Sequence, residues 1–168
     1  DIDASLGTGV HPAFVVNGIE KTELFIGQHI GTSLNGEMLS LPGRDPINTI
    51  NHDAAVALAR ANGNGWHVMT NAEWAAIQLW CWKNAFQPRG NTNFGRSSDA
   101  TWEQGRRQDG IAPGTNSGTA RTLTGSGPAS WRHDGTPAGI ADLAGNVWEW
   151  APGMRMVAGE IQVIPNND

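Results

Sequence analysis

The most informative stretch of the sequence is DLAGNVWEW, residues 142–150, near the end of the chain. Valine and tryptophan dominate its second half, and a Pro-Gly pair follows at 152–153. Residues 140–151 and 154–164 are therefore predicted to form two strands joined by a turn at that pair. On a strand, Trp148 and Trp150 would share one face. We expect this face to pack in the core, and a sugar-stacking platform is the alternative.

A helix is predicted upstream by a pair of capping residues. Thr70 is followed three positions later by Glu73, which is the spacing of a capping box. Ile77 and Cys81 then recur at helical spacing on an apolar stripe, so the helix is expected to be buried and to end near Lys83. A free cysteine in such a stripe behaves as a small hydrophobic residue, so Cys81 is not predicted to be a nucleophile.

The first half of the chain holds a hairpin signal and a second capping signal. Asn17-Gly18 lies between apolar β-forming residues, a pattern typical of a tight hairpin. Asn51 is predicted to cap a short helix over residues 52–62. Residues 31–48 are rich in glycine and proline and are predicted to be a loop.

Residues 88–139 form a long stretch without a helical or strand pattern. Loops of this length are usually functional or disordered. The isolated apolar residues Trp102 and Trp131 and the lack of charge blocks favour an ordered loop in which both tryptophans are packed. His133 and Asp134 could form an acid–base pair, but the Asp-Gly step that follows favours a simple turn.

Composition excludes several classes of protein. The 168-residue chain has a net charge of −5, without a basic patch, which argues against nucleic-acid binding. No apolar run approaches the roughly 20 residues that span a bilayer, so membrane insertion is not expected. The single cysteine excludes an internal disulfide framework. Residues 1–10 are predicted to be a linker or domain entry, and residues 11–168 one domain.

The stretch 142–150 closely resembles the signature of the formylglycine-generating-enzyme superfamily, a branch of the C-type lectin fold. Residues 69–74 (MTNAEW) are similar to the start of a helix in that family, and residues 11–12 and 25–27 resemble its first strands. The resemblance implies an α+β, C-type lectin-like fold. In such a fold two helices pack on a small antiparallel sheet with long irregular loops.

One subset of the superfamily resembles the chain more closely. Residues 145–150, 153–156 and 159–168, together with 90–96, look like phage tail-associated, retroelement-diversified ligand-binding proteins. This resemblance implies a domain that grips a host cell-surface receptor, either a protein or a glycan. It also implies a homo-oligomer, with a trimer as one form, or contact with other tail subunits. The expected location is the virion, with the extracellular space or cell surface as the alternative.

The sequence departs from the enzymes of this superfamily in two ways. Those enzymes use copper and a pair of cysteines placed after the Trp-Glu-Trp motif, whereas nothing after Cys81 is cysteine here. The closing Arg-Gly-Gly-Ser-Trp strand of the family is also absent. We therefore expect a protein that is not an enzyme, no copper, and a domain that is incomplete at its C-terminal end.

The resemblance also implies a calcium site. In the family, the positions that match Asp142, Gly145, Val147 and Glu149 supply oxygen ligands, the middle two through backbone carbonyls. Calcium takes six to eight such oxygens. In an extended segment, carbonyls two residues apart point the same way, so 145 and 147 could face one ion. The alternative is that Asp142 caps the preceding turn and Glu149 forms a hydrogen bond with buried backbone, without metal.

Three functions are compatible with these observations. We predict a non-enzymatic binding module, because of the subset resemblance and the absent cysteine pair. A formylglycine-generating-type oxidase is the first alternative, and it would need copper and a cysteine pair in a continuation of the chain. The second alternative is a structural scaffold subunit in a tail assembly, with the long loop holding subunits together. A fold alone does not decide among them.

Overall fold

The computed structural model of the protein describes residues 8–168, and these residues separate into two compact units. The first unit contains the chain up to Ile26, together with Val68–Ala85 and Trp150–Asp168. The second contains Gly27–His67 and Phe86–Glu149. Most of the predicted entry segment, residues 1–7, lies outside the described residues.

The described residues form an α+β fold, as predicted, with two helices and antiparallel strand pairs. Each strand pairs with its neighbour in sequence, so the sheets of this part of the chain are three separate hairpins. Neither helix within residues 8–168 has the length and apolarity that a membrane crossing requires. In chain order the elements are β1 (Val15–Val16), β2 (Ile19–Glu20), β3 (Gly31–Leu34), β4 (Glu37–Ser40), α1 (His52–Arg60), α2 (Asn71–Lys83), β5 (Met154–Val157) and β6 (Glu160–Val163).

Asn-Gly turns join the strands of the first two hairpins. Asn17 and Gly18 have φ of 51° and 72°, which are the left-handed values of a two-residue hairpin turn, so this prediction is confirmed. Asn35 and Gly36 have φ of 53° and 85° between β3 and β4. The prediction that residues 31–48 are a loop is therefore wrong for residues 31–40 and right for residues 41–48. The frequent glycines and prolines of this stretch led us to overlook the second Asn-Gly hairpin signal.

The C-terminal segment 154–164 is a hairpin and not the single strand that was predicted. Ala158 and Gly159, with φ of 50° and 87°, turn the chain between β5 and β6. Side chains of directly paired residues lie on the same face of an antiparallel pair. One face of this hairpin is apolar and exposed, and it consists of Met154 (59%), Met156 (73%), Ile161 (67%) and Val163 (66%).

Helix α2 lies in the first unit and begins with the predicted capping box. The Thr70 hydroxyl accepts a hydrogen bond from the Glu73 amide at 3.2 Å, and the Glu73 carboxylate accepts one from the Thr70 amide at 2.8 Å. The side chain of Asn167 donates to the same carboxylate at 2.8 Å, which fixes the C-terminal residues against the helix start. Ile77 and Cys81 are each 7% exposed, so the predicted apolar stripe is confirmed.

Helix α1 lies in the second unit and packs against β4. Its cap is the predicted one, since the Asn51 side chain accepts a hydrogen bond from the Ala54 amide at 2.9 Å. The helix ends at Arg60, two residues earlier than predicted.

The long loop region of the second unit is ordered around a buried tryptophan. Trp131 is 1% exposed, as predicted for an anchor of this segment, and its indole nitrogen donates to Glu103 at 3.0 Å. The Arg89 guanidinium donates to the same carboxylate through two nitrogens, the Nε at 2.9 Å. Glu103 is itself only 8% exposed. A charge-assisted cluster therefore lies where a hydrophobic core would be expected.

This cluster predicts a specific dependence of stability on pH. Hydrogen bonding by Arg89, above all, and by Trp131 lowers the pKa of Glu103 from 4.5 to about 2. A carboxyl with a depressed pKa stabilises the folded state above its unfolded pKa and loses that contribution as the pH falls. The stability that Glu103 supplies should therefore be lost between about pH 4.5 and about pH 2.

A Glu103→Gln variant should lose about 2 kcal/mol of unfolding free energy at neutral pH, since it loses charge-assisted hydrogen bonds. Its unfolding free energy should also fall less steeply with acid than that of the wild type. Denaturant unfolding at several pH values measures both effects. Glu37→Gln, at an exposed position of β4, is the matched control. Equal acid dependence in wild type and Glu103→Gln would contradict the assignment.

Candidate functional site

The stretch 142–150 does not form the predicted strand. Asp142, Gly145 and Asn146 all have left-handed φ values, of 60°, 74° and 67°, which interrupt any extended run. The valine and tryptophan residues misled the strand prediction, because these β-forming residues give no sign of the positive φ at Asp142. Trp148 and Trp150 therefore share no strand face. Both are exposed, at 102% and 49%, so the expectation that they pack in the core is wrong.

Asn146 joins this stretch to two distant parts of the second unit. Its side-chain oxygen accepts hydrogen bonds from the Thr122 amide at 2.7 Å and from the Asn91 side chain at 3.1 Å. Its side-chain nitrogen donates to the Thr122 carbonyl at 3.1 Å. The Asn146 amide completes the set by donating to the Asn91 carbonyl at 2.8 Å. The hydrogen bonds of this one asparagine thus connect the segments that backbone hydrogen bonds between strands would otherwise have connected.

Gly145 is required by the same junction. Its backbone runs beside Asn91, and a Cβ at this position would lie 2.2 Å from the Asn91 carbonyl oxygen. That separation is too short for any side chain. The Gly-Asn pair at 145–146 therefore has a structural role here that sequence reasoning missed, and only long-range pairing reveals it.

Asp142 is the buried acidic residue of the site. It is 2% exposed, and its carboxylate accepts a hydrogen bond from the Gly125 amide at 2.7 Å. Burial raises the pKa of Asp142, an effect that this hydrogen bond and the charge of Arg132 oppose. Gly125 lies 17 residues before Asp142, so this contact is not a cap of the preceding turn, and it leaves the second carboxylate oxygen for another ligand.

Glu149 completes a pair of carboxylates. Burial of the carboxyl, followed by the negative charge of Asp142, raises the pKa of Glu149 to about 7. As a residue, Glu149 is nevertheless exposed to solvent. The negative charge of Asp142 raises the pKa of Glu149 because it disfavours a second ionised carboxylate. A cation between them would remove that repulsion.

The two backbone ligands predicted for calcium lie in a tight turn. The Val147 amide donates to the Gly145 carbonyl at 3.0 Å, across Asn146. The segment is therefore not extended here, and the carbonyls of residues 145 and 147 are not aligned as two positions of a strand would be. A carbonyl oxygen has two lone pairs, so the Gly145 carbonyl can still accept a further ligand. Within residues 8–168, no group of three or more histidine, cysteine or acidic side chains could hold a metal.

The oxygen chemistry of the site nevertheless fits a hard cation. Asp142 and Glu149 supply two carboxylates whose raised pKa values reflect burial and, at Glu149, the neighbouring charge. Carboxylates combined with backbone carbonyls are the ligand set that calcium accepts. Any remaining ligands would have to be backbone carbonyls or water.

Arg107 organises the loop beside this site. Its side chain is fully buried and forms an ion pair with Asp109 at 2.7 Å. The same guanidinium donates to the carbonyls of Thr115 at 2.8 Å and Thr119 at 3.2 Å, and it lies 5.7 Å from the ring centroid of Phe94. A buried arginine that donates hydrogen bonds to several carbonyls of a loop holds the backbone of that loop in one conformation.

Other side chains considered from sequence have simple structural roles. The Asp134 carboxylate accepts hydrogen bonds from the amide and hydroxyl of Thr136, both at 2.9 Å, so the predicted turn is confirmed. His133 accepts a hydrogen bond from the Ile140 amide at 2.9 Å. Trp102, which was predicted to be packed, is 78% exposed, so that prediction is wrong.

Comparison with known proteins identifies the family of the chain. No protein of curated function matches it significantly. The model of the FGE-sulfatase family, described as the sulfatase-modifying factor enzyme 1-like domain, matches residues 17–155. The match includes both helices, the long loop region and the stretch 142–150, and it agrees with the α+β architecture. The chain therefore belongs to the sulfatase-modifying factor enzyme 1-like family, whose fold is C-type lectin-like.

Proposed function

We propose that this domain is a non-enzymatic binding module that attaches a phage tail or virion protein to the surface of a host cell. The observation that carries the proposal is the pair of exposed tryptophans, Trp102 (78%) and Trp148 (102%), on the ordered loops of the second unit. The resemblance to retroelement-diversified tail proteins supplies the biological setting. The extracellular space or the cell surface is the alternative location.

Exposed tryptophans on a fixed scaffold suit recognition for two physical reasons. A tryptophan buries a large apolar area and can also donate one hydrogen bond, so it often contributes much of the binding energy at an interface. Loops that are already ordered lose little entropy when they bind. The buried clusters at Glu103 and Arg107 supply that order. The receptor is either a protein or a glycan.

The oxidase alternative has less support from the residues present. Formylglycine-generating-type chemistry, as the family resemblance implies it, needs a cysteine pair after the Trp-Glu-Trp motif. The sequence contains Cys81 alone, and this residue is buried in α2. The scaffold alternative predicts contacts with other subunits and no binding to host cells.

Calcium binding is the second part of the proposal. Asp142 and Glu149, with the carbonyls of Gly145 and Val147, are the residues that would hold the ion. When bound, calcium supplies positive charge that offsets the repulsion between the two carboxylates. Its role would be structural, because it would fix the turn at 145–147 beside the exposed Trp148.

Calcium should therefore raise the melting temperature of the protein. A ligand that binds only the folded state stabilises it by about 2.7 kcal/mol at a hundredfold excess over the dissociation constant. Asp142→Asn and Glu149→Gln should each reduce this shift, which differential scanning calorimetry with calcium and with chelator measures. Glu160→Gln, at an exposed position of β6, should respond like the wild type. An identical melting temperature with and without calcium would count against the site.

The third part of the proposal is self-association, with a trimer as one form. It is supported by the exposed apolar face of the β5–β6 hairpin, since contiguous exposed apolar patches often mark protein interfaces. An isolated two-stranded hairpin is also only marginally stable in water.

Light scattering should give a mass that is a multiple of 17.9 kDa. Met156→Lys, which places a charge on the apolar face, should shift the protein towards the monomer. A monomeric wild type would contradict this part of the proposal, and a monomeric Met156→Lys variant beside an oligomeric wild type would support it.

The binding role is tested by applying the labelled domain to a panel of bacterial cells and glycans. We expect saturable binding to some members of the panel. Trp102→Ala and Trp148→Ala should each weaken it by about tenfold or more, as for interface tryptophans generally. Trp82→Ala is the matched control, because Trp82 is also exposed, at 64%, but lies on α2 of the other unit. Binding to no member of the panel would favour the scaffold alternative.

A further inference from the structure

A cavity of about 340 Å³ lies beside the β3–β4 hairpin, within the second unit and apart from the residues discussed above. Its volume falls in the lower part of the range for small-molecule sites. Hydroxyl, amide and aliphatic groups share its wall, together with one guanidinium and the carboxylate of Asp45. The lining residues that we consider as ligand contacts are Ser33, Leu34, Leu41, Arg44, Ile47 and Asn48.

The wall of the cavity is held in place by the rest of the unit. The fully buried Thr124 accepts a hydrogen bond from the Arg44 amide at 3.0 Å and donates its own amide to the Arg44 carbonyl at 2.8 Å. Arg121 binds both carboxylate oxygens of Asp45, at 2.6 and 2.8 Å. The Thr32 hydroxyl donates to the Asp45 carbonyl at 3.0 Å. A wall fixed in this way is preorganised for a ligand.

Two charged side chains line the cavity, Arg44 and Asp45. Asp45 is neutralised by its bidentate pair with Arg121. Among residues 8–168, Arg44 has no hydrogen-bond or ion-pair partner for its guanidinium. The Arg44 guanidinium is therefore the charged group of the described wall that is available to a ligand.

The backbone is strained at Thr49, next to the cavity. Thr49 follows the lining residue Asn48 and has φ of 54°, a value that a β-branched residue rarely adopts. Its hydroxyl donates to the Asn48 side chain at 3.0 Å, and that side chain donates to the Pro46 carbonyl at 3.0 Å. Residues held in such conformations cluster at ligand sites. The Asn48 amide is thus held at the cavity by a strained turn.

From this combination we propose that the cavity binds an acidic monosaccharide. The carboxylate would pair with the Arg44 guanidinium, whose planar fork matches a carboxylate. The aliphatic side chains of Leu34, Leu41 and Ile47 would contact the apolar face of the sugar ring, and Ser33 would bond a ring hydroxyl. None of the described lining residues is aromatic, which disfavours a nucleobase. This site does not depend on the host-binding role of Trp102 and Trp148.

The test is a titration of the isotope-labelled protein with glucuronate, followed by amide chemical shifts. Saturable shifts are expected at Ser33, Leu34 and Asn48. Glucose, which has the same ring without the carboxylate, should bind about tenfold more weakly or worse, because it forms no charge-assisted pair. Equal affinity for both sugars would overturn the proposal, and so would shifts confined to other residues.

Variants of arginine separate the cavity from a general effect of charge. Arg44→Met keeps most of the side-chain length and should weaken glucuronate binding by about tenfold or more, with an unchanged melting temperature. Arg60→Met, at the exposed end of α1, should bind like the wild type. Unchanged affinity in Arg44→Met would overturn the proposal. Inorganic phosphate that binds as tightly as glucuronate would also overturn it, since the site would then recognise a simple anion.

Discussion

The second unit depends on buried polar contacts that substitute for regular secondary structure. Asn146 is at the centre, because its single side chain bonds both the amide and the carbonyl of Thr122 as well as the side chain of Asn91. A buried backbone group without such a partner costs free energy comparable to a lost hydrogen bond. Loops without strands therefore need side chains that bond the backbone, and this unit supplies them.

The need to pair buried polar groups also explains the charged residues of the interior. Glu103 accepts hydrogen bonds from Arg89 and from Trp131, and Arg107 bonds Asp109 and several carbonyls. Apart from Trp131, the buried hydrophobic residues of this unit are small alanines. A satisfied polar interior of this kind is rigid, but it tolerates the loss of a partner poorly. Function can then reside in the loops, because the interior holds them in one arrangement.

Local sequence signals predicted both helices. The segments whose conformation depends on contacts between distant residues were not predicted. The capping box at Thr70 and the Asn17-Gly18 turn operate within a few residues, so sequence alone identified them. The hairpin at Asn35-Gly36 carried the same signal but was obscured by neighbouring glycines and prolines. The stretch 142–150 identified the family correctly while its predicted strand was wrong. Its shape is determined by Asn91 and Thr122, which are distant in sequence.

At the candidate site, too, the sequence predicted some features and the structure was needed for others. Family resemblance selected Asp142 and Glu149, and the structure adds that burial and mutual repulsion raise the pKa of Glu149 to about 7. No local pattern indicated that Trp102 and Trp148 are exposed, because tryptophan normally predicts burial. The cavity at Arg44 could not be predicted from the sequence either. It is lined by a hairpin and the segment that follows, and the distant residues Arg121 and Thr124 hold its wall in place.

Hydrogen–deuterium exchange of the backbone amides most directly tests whether these loops are a rigid scaffold. Four loop amides donate hydrogen bonds to residues of this scaffold: Gly95 and Asn146 to Asn91, Thr122 to Asn146, and Gly125 to Asp142. We predict that these four amides exchange far more slowly than unprotected amides. Their protection should approach that of amides within α2. Exchange of these four amides at the rate of an unfolded chain, with α2 still protected, would contradict the account.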